Sequence, residues 1–84
     1  MSESELIEQL ADKEHASWAR WMHYLFSKCE QGNFGQMVIP AAFVAHWARQ
    51  ADTPYEGLSE QEKQSDRDEV AHILPIIEKY VKEF

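Results

Sequence analysis

Cysteine occurs once in this chain, glycine three times and proline three times among 84 residues. One cysteine, Cys29, excludes an internal disulfide and fits a reducing cytoplasm. Gly32 and Gly35 are too few to build a phosphate loop. No uninterrupted apolar run approaches the roughly 18 residues that span a bilayer, and no basic segment followed by an apolar one opens the chain. A cytoplasmic protein without a membrane partner is expected. Basic charge is also scarce, with 8 Lys and Arg against 15 Asp and Glu, a net of −7. Binding to a nucleic acid polymer rests on a basic surface, so that partner class is excluded.

The charge is uneven. Residues 1–14 carry one cation against five acids, residues 15–50 three against one, and residues 51–84 four against nine. Three of the four histidines lie in the positive middle, which leaves room for a local anion site. The plainer reading is that acidic ends keep a small protein soluble.

What is abundant is apolar and aromatic bulk. Hydrophobic residues make up 44% of the chain, with three Trp, three Tyr and four Phe. That supplies a core for one small domain over residues 1–84, with bulk left over for a groove or a subunit interface. Residues 4 to about 30 read as one long helix on the three-four spacing of Leu6, Ile7, Leu10, Trp18, Trp21, Met22, Leu25, Phe26 and Cys29. The stripe weakens at Lys13 and Glu14, where the helix is free to bend or fray. Ser2 or Ser4 caps its start. Gly32, in left-handed geometry, stops it.

Gln36 to Ile39 reads as an extended apolar segment, suited to pairing with a strand across a dimer. Pro40 opens a second helix over Ala41–Ala51, with Phe43, Val44, Trp47 and Ala48 inward. Asp52 to Leu58 is a compact turn. Ser59, three residues before Glu62, forms a capping box for a third helix running to about Phe84. Pro75 inside that helix predicts a kink near Leu74. The fold class is all-α: a small three- to four-helix domain with a kinked C-terminal helix.

No catalytic set can be assembled. Cys29 lies on an apolar face as an inert thiol, no serine sits in a nucleophile elbow, and Ser59 is explained as a cap. His15 and His23 are too far apart for a helical metal pair, and no His-x-x-x-His or cysteine pair occurs. The expectation is no enzyme, no cofactor and no metal.

The third helix is more informative. Read back from its apolar end, its inward stripe runs Ile77, Leu74, Ile73 and Val70, then Arg67, Asp66 and Lys63. It turns ionic where Tyr55 on the preceding turn can meet it. An aromatic wall of Trp18, Trp47 and Tyr55 with Lys63 and Arg67 at its edge suits a planar anionic ligand. His15 and Asp66 would orient it. The alternative is that Trp18 and Trp47 are core and that Lys63, Asp66 and Arg67 form a solvated face.

These residues resemble a known family. His15-Ala16-Ser17-Trp18-Ala19, Ile39-Pro40 opening a helix, Tyr55 with Leu58, Glu62-Lys63 and Asp66-Arg67 are similar to the ryanodine-receptor repeat (RyR) domain. That domain shows a His-x-x-Trp helix, a proline-started segment, a Tyr-x-x-Leu turn and a Glu-Lys-x-x-Asp-like helix start. The resemblance spans residues 12–78. The family's Gly-Trp-x-x-Gly stretch is absent, with Cys29 to Gly35 in its place. The chain as a whole also resembles small proteins encoded by phages and prophages.

The resemblance implies an all-α, non-enzymatic module that binds a ligand or a protein. Bacterial relatives of the domain occur with nucleotide-signalling and defence systems, which implies a nucleotide-derived ligand. In a phage setting such a protein would sequester a host signal. The competing expectation is a protein-interaction or self-associating module, including a homodimer through helix one or the 36–39 segment.

Overall fold

The computed structural model describes residues 1–83; Phe84 lies outside the described residues. Three helices account for most of the chain: α1 (Glu3–Lys28), α2 (Ala41–Ala51) and α3 (Glu60–Lys82). Two short strands, β1 (Glu30–Gln31) and β2 (Met37–Val38), form a hairpin between α1 and α2, and a single 3₁₀ turn covers Tyr55–Gly57.

Local chemistry sets the boundaries. Ser2 caps α1, its hydroxyl accepting from the Glu5 N–H at 3.1 Å. Glu3 and Glu5 then sit at the positive end of the helix dipole. Lys13 and Glu14 do not interrupt α1, because straight-chain charged residues are good helix formers. Ser59 and Glu62 form the full capping box of α3. The Glu62 N–H donates to the Ser59 hydroxyl at 3.1 Å, and the Ser59 N–H donates to Glu62 Oε1 at 3.0 Å. Pro75 lies inside α3 without ending it.

One local expectation is corrected. The left-handed glycine is Gly35, at φ 82°, and not Gly32. Gly32 instead donates its N–H to the Gln36 carbonyl at 2.6 Å, closing the hairpin. The apolar 37–38 segment pairs antiparallel with β1 of its own chain, Glu30 opposite Val38 and Gln31 opposite Met37. Five intervening residues with a left-handed glycine keep the cost of that local closure low.

α1 and α3 run antiparallel. The amino terminus bonds the Glu83 carboxylate at one end, and Arg20 pairs with Glu69 further along. The half-buried line on α1 is Leu6, Leu10, Lys13 and Ser17; on α3 it is Glu69, Ile73, Ile76 and Tyr80. Each helix therefore meets the other along a line that is part polar.

The predicted core is not formed. Among the described residues none is buried, and the large apolar side chains are widely exposed: Trp18 at 57%, Val70 at 51%, Phe34 at 93%. The radius of gyration is 17.1 Å. A compact chain of this length has about 12 Å. The molecule is an elongated slab of 56 × 32 × 16 Å. Its 44% hydrophobic content is real, but one copy offers nothing to place over the apolar stripes. Among the described residues, no helix is long and apolar enough to cross a membrane.

Candidate functional site

An open groove of about 1330 Å³ lies between the C-terminal half of α1, the far end of α2 and the start of α3. α1 contributes Trp21 and Tyr24, α2 contributes Trp47, and the 3₁₀ turn contributes Tyr55. Tyr24 and Trp47 lie 6.1 Å apart between ring centroids, and Trp47 is 5.3 Å from Phe43. Lys28 Nζ stands 5.4 Å from the Tyr24 ring and 5.9 Å from that of Phe43, which ties α1 to α2 by cation–π contact.

Charged groups on the groove are mostly engaged. Arg20 donates to both Glu69 oxygens, Nε to Oε1 at 3.2 Å and Nη2 to Oε2 at 2.5 Å. That two-pronged pair pulls the Glu69 carboxyl below the ordinary range, chiefly through the hydrogen bond, and raises Arg20. Arg49 approaches Glu62 Oε2 at 3.7 Å and donates to His46 Nδ1 at 3.2 Å. Glu62 is held below its ordinary range first by the Ser59 N–H, then by the Ser59 hydroxyl and by Arg49 of α2. Its Oε2 is enclosed with no hydrogen-bond partner. Arg20 and Arg49 thus face Glu62, Asp66, Asp68 and Glu69 across the lining, an acidic balance.

The seven residues singled out in the sequence divide into three sets. Trp47, Tyr55 and Asp66 line the groove together. Lys63 and Arg67 gather around Tyr55 without lining the groove. Lys63 Nζ is 5.7 Å from the Tyr55 ring. Arg67 donates to Glu60 at 3.2 Å and to Gln64 at 3.4 Å, and its pKa is raised by Glu60 first and Tyr55 next.

His15 and Trp18 stand apart. Their rings stack at 5.8 Å, tilted by 26°, on the exposed side of α1, and neither lines the groove. A helix places His15 and Trp18 three residues apart on one face, which the spacing predicted, but which face meets α2 depends on the antiparallel partner. For the same reason Arg20, Trp21, Tyr24 and Glu69 were not singled out. Arg20 and Glu69 are 49 residues apart, and no local pattern signals their pairing.

Cys29 is half-buried, its thiol directed to the Leu25 carbonyl at 3.3 Å. Among the described residues, no three of His, Cys, Asp and Glu come together as a metal-binding set. The chain matches no protein-family model, no curated protein and no solved structure.

Proposed function

We propose that this chain is a non-enzymatic interaction module, of the ryanodine-receptor-repeat type its motifs resemble, that works by presenting an apolar helical face to another polypeptide. The observation that carries this reading is the complete lack of buried residues among those described, in a chain with this much apolar bulk. Exposed apolar surface on this scale is what interaction sites present before they are covered. The groove's electrostatics agree. Its two arginines are already committed to carboxylates, and the lining is acidic, so a free anion gains little there.

One corner favours a second reading. Tyr55 with Lys63 over its ring and Arg67 beside it, opposite Trp47, has the chemistry for a small planar anion such as a nucleotide-derived signal. His15 and Trp18 would take no part in it.

Calorimetry and light scattering separate the two. An interaction module associates through its apolar face, and Arg67→Ala leaves that association unchanged. Heat on titrating nucleotides or cyclic nucleotides into a monodisperse, unassociated chain, abolished by Arg67→Ala, would instead establish the small-ligand reading.

A further inference from the structure

Accepting that the chain acts through its apolar face, we infer that the partner covering this face is a second copy of the same chain, in an obligate two-fold dimer that completes a four-helix layer-on-layer bundle.

The face is continuous. Helix residues advance about 100° each. On α1, Ile7 and Trp18 lie about a quarter-turn from the Leu6–Leu10–Lys13–Ser17 line that meets α3. On α3, Val70, Leu74, Ile77 and Val81 lie about a quarter-turn, in the same sense, from the Glu69–Ile73–Ile76–Tyr80 line. Because the two helices are antiparallel, equal rotations in the same sense bring both stripes to one side of the pair. All six of these stripe residues are exposed.

The area fits a second copy. The accessible surface is 6600 Å². A compact monomer of 9.8 kDa exposes about 5200 Å². The excess is roughly 1400 Å² per chain, or 2800 Å² for two chains, which falls in the size class of obligate homodimers. Two such excesses cover each other and bring each chain near the surface expected for its mass. A transient contact with some other protein would leave the chain without a core between encounters. A second copy is present wherever the chain is made.

Charge sets the orientation. One end of the face carries Lys63 at the start of α3, while the other carries Glu3 of α1. A two-fold axis lying in the plane of the interface and perpendicular to the helices lays the cationic end of one copy over the acidic end of the other, and an axis along the helices would set like charges together. The axis then passes near the middle of both helices, close to Leu74.

Sedimentation of the full chain from micromolar to nanomolar concentration, with far-UV circular dichroism on the same samples, tests this. The expected result is a species of twice 9.8 kDa whose helicity falls together with its dissociation. On a Cys29→Ser background, Leu74→Cys should oxidise to a covalent dimer, while Lys79→Cys, on the far side of α3, should not. A 9.8 kDa species with full helicity, no binding of a hydrophobic dye and a melt independent of concentration overturns both this inference and the interaction reading. A monomer that binds the dye strongly, or a Leu74→Cys chain that stays uncrosslinked in a larger assembly, overturns the two-fold dimer and leaves the interaction reading standing.

Discussion

Glu62 does two jobs with one carboxylate. Oε1 closes the cap of α3 through the Ser59 N–H, and Oε2 faces Arg49 of α2. Ser59→Ala removes the acceptor for the Glu62 N–H and should lower stability by about 1 kcal/mol, read as a lower melting temperature. Acid acts on the same group. Glu62 and Glu69 both sit below their ordinary value of 4.5 in the folded chain. A carboxyl shifted this way contributes stability above its unfolded pKa and loses it as pH falls through its folded one. Melting temperature should therefore hold from neutral pH down to about 4.5 and decline below it. Replacing Glu62 and Glu69 by Gln together should flatten that decline, and an unchanged acid profile would show that other carboxylates carry it. The capping box was legible because its two residues are three apart. The Arg49 contact was not, because it joins two helices.

At the scale of the element, the helices follow local rules and the hairpin follows a single glycine. Ser2 and Ser59 mark the helix starts, and the three-four apolar spacing marks their extent. Gly35 at φ 82° is different: nothing crowds its Cβ position, so its backbone angle alone restricts it. Gly35→Ala should cost about 1–2 kcal/mol, read as a shift in the denaturation midpoint. Gly35→Asn should cost less, since asparagine tolerates this region. Equal losses would mean that the turn relaxes into another form. A glycine just after a helical stretch points to a left-handed helix stop at Gly32. The chain ends α1 instead with an extended Cys29 and turns later. Two glycines three apart cannot be told from one another without the hairpin register that pairs Gln31 with Met37.

At the scale of the whole molecule, shape decides. The proposed two-fold dimer accounts for a radius of gyration of 17.1 Å and for the lack of buried residues among those described. A melting temperature that rises with chain concentration follows from mass action on such a unit. A tenfold dilution series by circular dichroism should show it, and superimposable melts would mean that each copy is stable by itself. The groove belongs to this scale as well. Trp47, Tyr55 and Asp66 converge there because three separate elements meet, while His15 and Trp18 are carried out onto the open face of α1.

The amino-acid sequence by itself determined the helices, their caps and the apolar stripes. Those depend on neighbours one to four residues away, where propensity and hydrogen-bonding geometry act directly. Only the tertiary structure decided which stripe meets which. The antiparallel register of α1 and α3 selects a line of Leu6, Leu10, Ile73, Ile76 and Tyr80 interrupted by Lys13, Ser17 and Glu69 for their contact and leaves a second apolar stripe outward. That choice rests on contacts such as Arg20 with Glu69, which hydrophobic periodicity along one helix cannot encode.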